Sequence, residues 1–209
     1  HTAAMALYVK PLRPLRSMLR VAGWKLSKGP HKLPPIESFF RTPPRTGQAT
    51  LDEYGDEIGD VIWQQQRRPG KLYTEQSLEF LRWRYACHPH INYFAEVDVQ
   101  DGRFQGVVFF RTNLRKGLRE VMIDDLILRD GDLESARRLV QSLVRNTQAD
   151  YLLAVGGPAA KFADVRRLGF YRVPKMRFDL AARHLANDFD PLAYDENSWS
   201  LCLGDIEGL

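Results

Sequence analysis

Residues 118–174 read LREVMIDDLILRDGDLESARRLVQSLVRNTQADYLLAVGGPAAKFADVRRLGFYRVP, and the fold is decided there. Val121, Ile123, Leu126 and Leu128 mark a strand with two consecutive carboxylates, Asp124 and Asp125, at its middle. Successive side chains on a strand face opposite ways, so one of the two is expected on the sheet's inner face. After an acidic turn the spacing predicts a helix over 133–146, with Ala136, Leu139, Val140, Leu143 and Val144 inward. A strand over 151–155, a helix over 158–168 and a strand over 171–180 follow.

Outward from that stretch, Tyr54, Ile58, Val61 and Ile62 form one face of a helix that ends before Pro69-Gly70. A second helix is expected from an N-cap at Thr74, burying Leu78, Leu81 and Tyr85 and stopped by Pro89. The runs YFAEVDV and RFQGVVFFRT flank Gln100-Asp101-Gly102, and Asp-Gly is a strong hairpin signal. A polar stretch containing His184, read as a solvated loop residue, leads to a last strand over 199–203. Trp83, Tyr85, Phe109, Phe110 and Trp199 read as core aromatics.

The 209 residues, 44% hydrophobic and 27% charged, have the composition of a soluble globular chain. No apolar run approaches the roughly 20 residues that span a bilayer, and no secretory signal is visible, so a cytoplasmic location is the expectation. Cys87 and Cys202 are too few for a disulfide framework. Cys87-His88-Pro89-His90 crowds three metal-binding side chains into four residues, with no second pair at finger-like spacing, and reads as a helix end entering a turn. The chain opens His1-Thr2-Ala3, which reads as a piece of a longer chain or an added remnant, and its first residues are set aside as uninformative. No G-x-S-x-G, Walker A or strand-borne G-x-G-x-x-G pattern is present, which removes those hydrolase, P-loop and dinucleotide readings.

Charge divides the chain. Residues 1–50 hold nine basic side chains against the single acid Glu37, a net of +8, while the remainder nets −4. Leucines, Met18, Val21 and Trp24 share 12–26 with regularly placed arginines, predicting a basic amphipathic helix with Pro14 in its first turn. Prolines then punctuate a linker to about residue 50. Residues 1–50 are therefore expected to be an arm and 51–209 the folded domain. Two readings of the arm stand: contact with nucleic acid or an anionic membrane, or packing on an adjoining domain with the charged face solvated. The second is preferred, since the arm lacks the interleaved aromatics and readout motifs of nucleic-acid binders.

The element order, with Gly169-Phe170 placed after a short helix and before a strand, resembles the GNAT acyltransferase superfamily across about residues 50–209. LEFLRWRYACHPHINYF and the terminal WSLCLGDIEGL are also similar to bacterial GNAT-like proteins built from two acyltransferase-type halves, some tied to cell-envelope polysaccharide loci. The resemblance implies an α+β fold, a mixed and mostly antiparallel twisted sheet of about six strands flanked by helices. It implies an N-acyltransferase-like activity with acetyl-CoA or another acyl-CoA as co-substrate. The acceptor would be an amine on a small or glycan-like molecule. The partner would be a second GNAT-like half or a second copy.

In that family the acyl-CoA lies where two central strands splay, its pantetheine pairing with exposed backbone, here that of Asp125, Leu126, Ile127 and Leu128. The pyrophosphate would fall on Gly131, Ser135 and Ala136, yet of the family's Q/R-x-x-G-x-G/A pattern only Ala136 is matched. Asp130, Asp132 and Glu134 crowd that turn, and each like-charge contact at ~4 Å costs about 1 kcal/mol even in water. Asp is also a good helix N-cap without any ligand. The tyrosine that many members carry four residues before the Gly of Gly-Phe is Val165 here. Asp124 or Asp125 is left as the candidate base, against the alternative of a carboxylate paired with arginine. A GNAT-fold module without CoA chemistry therefore stands beside the enzyme.

Overall fold

The computed structural model describes residues 2–26, 34–66, 72–157, 160, 165–181 and 199–205. Its elements run β1 (Thr2–Pro11), α1 (Pro14–Leu26), β2 (Arg45–Thr46), α2 (Gly47–Gln66), β3 (Leu72–Tyr73), α3 (Leu78–Leu81), β4 (Phe94–Gln100), β5 (Arg103–Arg115), β6 (Leu118–Leu128), α4 (Leu133–Asn146), β7 (Tyr151–Gly156), β8 (Tyr171–Ala181) and β9 (Trp199–Ser200). Asp101 and Gly102 adopt φ of 50° and 72°, and Lys116 and Gly117 adopt 51° and 76°. Two adjacent positive φ values give a turn whose twist matches its flanking strands, so β4, β5 and β6 form a meander.

Seven strands make one sheet in the order β2-β4-β5-β6-β7-β1-β8, and β3 pairs with β9 in a separate ladder. Within the large sheet only β6 and β7 are parallel; β5–β6, β7–β1 and β1–β8 are antiparallel. This is the mixed, mostly antiparallel α+β sheet that was expected. Two of its strands, β1 and the two-residue β2, come from residues 1–50, which the sequence reading set apart as an arm, and the strand expected over 199–203 is not in this sheet. Residues 2–11 are a strand between β7 and β8, with Met5, Ala6, Leu7 and Tyr8 buried. Phe39 and Phe40 are buried as well, so packing does not divide the molecule near residue 50.

α4 lies on one face of the sheet, burying Leu139, Val140 and Leu143 with Val108, Phe110, Val121, Ile123 and Leu152. On the other face Ile58, Val61 and Ile62 of α2 meet Leu81, Tyr85, Phe109 and Ile127. α3 is capped by Ser77, whose Oγ accepts from the Phe80 amide at 3.0 Å, rather than by Thr74. It continues as a π-helical turn over Arg82–Ala86. Tyr85 stacks on Phe109 there with ring centroids 4.2 Å apart, whereas Trp83 is exposed and does not join the core.

The expected last strand over 199–203 is shorter. Trp199–Ser200 pairs in parallel with Leu72–Tyr73, and the chain then turns into a 3-10 segment at Leu203–Asp205. Leu201 and Leu203 pack with Met5, Leu7, Met122, Leu153 and Val155. Of the helix expected over 158–168, Val165–Leu168 is a 3-10 turn and most of the remainder lies outside the described residues, as does the stretch containing His184.

Candidate active site

β6 and β7 are paired only at their beginnings, Glu120, Val121 and Met122 against Tyr151, Leu152 and Leu153. Beyond that point the strands part, and a narrow cleft opens between residues 123–126 of β6 and Ala154 and Val155 of β7. Val140, Val165, Leu168 and Phe170 line it from the α4 side, and Leu201, Cys202 and Leu203 line it as well. Gly169 takes a φ of 81°, a conformation glycine adopts without strain, as the chain turns into the buried Phe170. Val165, where the resemblance led one to look for a tyrosine, contributes only a hydrocarbon wall. With residues 201–203 in place the cleft has a volume of about 30 Å³, room for a water and too little for an acyl arm.

A bulge sets the polar end of this cleft. Phe110 pairs with Ile123 and Phe109 with Asp125, so Asp124 is the extra residue on β6. A bulge re-aims side chains that would otherwise alternate. Asp124 and Asp125 consequently both line the cleft, and the charges of both act on the Tyr85 hydroxyl, where strict alternation had placed them on opposite faces.

The two carboxylates have different surroundings. Asp125 Oδ1 accepts the Leu126 amide at 2.8 Å, and Oδ2 accepts Nε2 of the buried Gln76 at 3.1 Å. Asp124 is 1% exposed, with Arg111 Nε 3.3 Å from Oδ1, and neither of its carboxyl oxygens accepts a hydrogen bond from the described residues. Burial pushes its pKa up to about 7, the guanidinium charges of Arg111 and Arg84 offsetting only part of that cost and Asp125 adding to it. Burial likewise raises the Tyr85 hydroxyl well above its ordinary value, with the Asp125 charge contributing.

Arg111 joins this cleft to a second concavity. A polar groove of about 290 Å³ is lined by His90, Asn92, Arg111, Thr112, Asn113 and Met122 among others. The Arg111–Asp124 pair thus has its cation on the groove and its carboxylate on the cleft. Arg111, Arg84, Tyr85 and Cys202 were not among the sequence candidates. The readable signal for Arg111 was a lone cation ending the apolar run VVFF, one strand away from the Asp pair.

The turn before α4 does not fit a pyrophosphate. Asp132 is the N-cap, accepting the Glu134 amide at 2.9 Å and the Ser135 amide at 3.1 Å. Those amides are the donors an anion at this helix start would need. Ser135 and Ala136 are fully buried, and Gly131 has a φ of 69° beside Asp130 at 54°. Arg138 is committed to Asp98, with Nη2 2.8 Å from Oδ2. Burial works against ionised Asp98, but the hydrogen bonds from Arg138 and Gln100 hold its carboxyl below the usual range. Further along β6, the Leu128 carbonyl accepts Gln65 Nε2 at 2.6 Å, so the stretch expected to pair with a pantetheine already has internal partners at Leu126 and Leu128. His88 Nδ1 accepts the His90 and Ile91 amides, and among the described residues no three His, Cys, Asp or Glu side chains gather as a metal site.

No family model matches the chain, and no curated protein does. Among solved structures it is similar to a GCN5-related N-acetyltransferase from Anabaena variabilis, with 9% identity over 86% of this chain and a TM-score of 0.45. It is also similar to N-myristoyltransferase of Saccharomyces cerevisiae with bound myristoyl-CoA, with 14% identity over 84% of this chain and a TM-score of 0.49. The chain spans 38% and 46% of the lengths of those two proteins. At TM-scores below 0.5 neither likeness carries weight. The fold class rests on the strand order and on the parting of β6 from β7.

Proposed function

We propose that this chain is an acyltransferase-type domain, one half of a larger N-acyltransferase-like protein. An acceptor amine reaches Asp124 from the polar groove while an acyl chain occupies the apolar cleft. The observation that carries the reading is Asp124 itself, a buried carboxylate that accepts no hydrogen bond from the described residues, lining the cleft and paired with Arg111 of the groove. A group with a pKa near 7 suits proton abstraction from an ammonium at neutral pH, and an amine supplies the donors that Asp124 lacks. Arg111 holds the carboxylate in place. Asp125, already bonded to Gln76 and the Leu126 amide, fits a structural part better than a catalytic one.

Acyl-CoA is the co-substrate this reading implies. The cleft has the apolar character an acyl chain needs, and residues 201–203 would have to withdraw to admit it. A second reading, a GNAT-fold module without CoA chemistry, is favoured by Asp132, which already takes the helix amides that a phosphate would use. Isothermal titration of the chain with acetyl-CoA and longer acyl-CoAs separates the two. Binding that Leu203→Ala strengthens and Asp124→Asn leaves intact, with acyl transfer to amines lost in Asp124→Asn, is the expected result. No binding of any acyl-CoA at millimolar concentration would leave the module reading in its place.

A further inference from the structure

α1 carries its apolar stripe outward. Leu15, Met18 and Leu19 are 79%, 71% and 75% exposed, and Ala22 beside them is exposed too. At 100° per residue these four positions fall on one side of the helix. Ser17 and Val21, on the opposite side, are the half-buried ones. A surface helix of a folded domain ordinarily turns its leucines inward. Here the reverse holds among the described residues.

The charge around the stripe bears on what covers it. α1 contains no acidic residue, and residues 1–50 net +8. Arg16 is exposed along one edge of the stripe. Leucine and methionine on the outward face with arginine along the border is the arrangement of a helix lying in the plane of a lipid surface. Aromatic stacking platforms, which single-stranded nucleic acid would need, are absent from the outward positions 15, 16, 18, 19 and 22.

We propose that α1 docks on an anionic membrane surface, its leucines entering the headgroup boundary and Arg16 facing acidic headgroups. The docking is peripheral and reversible, since three large side chains and a few cations anchor weakly. It stands independently of the acyltransferase reading.

Cosedimentation with vesicles tests it. The whole chain is expected to bind vesicles of phosphatidylcholine with phosphatidylglycerol and not those of phosphatidylcholine alone. High salt should weaken that binding, because the Debye length falls from about 10 Å at 0.1 M to about 3 Å at 1 M. Leu15→Ser with Leu19→Ser should abolish binding, and Arg16→Glu should lower the partition about tenfold. All three side chains are exposed, so the thermal unfolding of each variant should match that of the parent. Three results would overturn the proposal: no binding to the anionic vesicles, binding indifferent to the leucine substitutions, or a lipid-free dimer in light scattering that those substitutions dissolve. The last would assign the stripe to a second copy of the chain.

Discussion

Asp124 makes the sharpest residue-scale prediction, because its environment fixes a sign. Its pKa rises from an ordinary 3.8 to about 7 in the folded chain. Between those values the folded state keeps a proton that the unfolded chain releases, so stability falls as pH rises through the window and levels above about 7. At about 1.4 kcal/mol per pKa unit, the whole effect is roughly 4 kcal/mol at most. Asp124→Asn cannot titrate. Urea unfolding at pH 5 and pH 8 should show the parent losing more stability than the variant over that interval; equal losses would mean Asp124 is not held protonated. If Asp124 is the base, acyl transfer should rise with pH toward a plateau above about 7 and fall about a hundredfold or more in the variant.

Asp132 gives a second test, since removing it frees the Glu134 and Ser135 amides. Asp132→Ala should cost about 1 kcal/mol as a lost N-cap, read by thermal unfolding. Its effect on acyl-CoA titration is separate: tighter binding would show that the cap competes with a phosphate, and unchanged binding that no phosphate sits there. The Asp pair and the acidic turn were both visible in the sequence. Their geometry was not, because a bulge depends on how β5 meets β6 and leaves no mark in the local alternation of Ile123, Asp124 and Asp125.

At the scale of elements, the seating of α2 on the π-helical turn positions Arg84 and Tyr85 beside the carboxylates. Gly47, the first residue of α2, lies so close that a Cβ there would stand 2.2 Å from the Tyr85 carbonyl oxygen. That neighbour is backbone and cannot rotate aside. Gly47→Ala should destabilise by about 2 kcal/mol or more, in the range of overpacked cores. Gly59, where a Cβ meets nothing within 4 Å, is the control, and Gly59→Ala should gain up to about 1 kcal/mol. Calorimetry on the two variants decides it; equal effects would show that α2 does not rest on this turn.

Elements with their own periodicity were readable, α4 over Leu133–Asn146 and the β4–β5 hairpin above all. The short segment at 201–205 was not. What holds it is contact with Met5 and Leu7 and the bond from the Cys202 amide to Asp205 Oδ2 at 2.7 Å, neither of which has a sequence period.

For the molecule as a whole, the decisive strand is the one that charge concealed. Residues 2–9 carry no charge at all, yet they were set aside as uninformative and grouped with the basic arm, whose first cation is Lys10. Net charge reports on partners and solubility, not on packing. β1 sits between β7 and β8, so removing it would expose two strand edges and the apolar surface that Met5, Leu7 and Tyr8 cover. Unpaired edges with apolar flanks template aggregation. A chain beginning at residue 12 should therefore lose cooperative unfolding and aggregate, whereas the charge reversal Arg16→Glu, on the exposed side of α1, should unfold like the parent. Adding a synthetic peptide of residues 1–12 to the shortened chain should restore protection of the β7 amides in hydrogen exchange. Normal folding of the shortened chain without the peptide would show that β8 can close directly on β7, and that the sheet does not depend on its N-terminal strand.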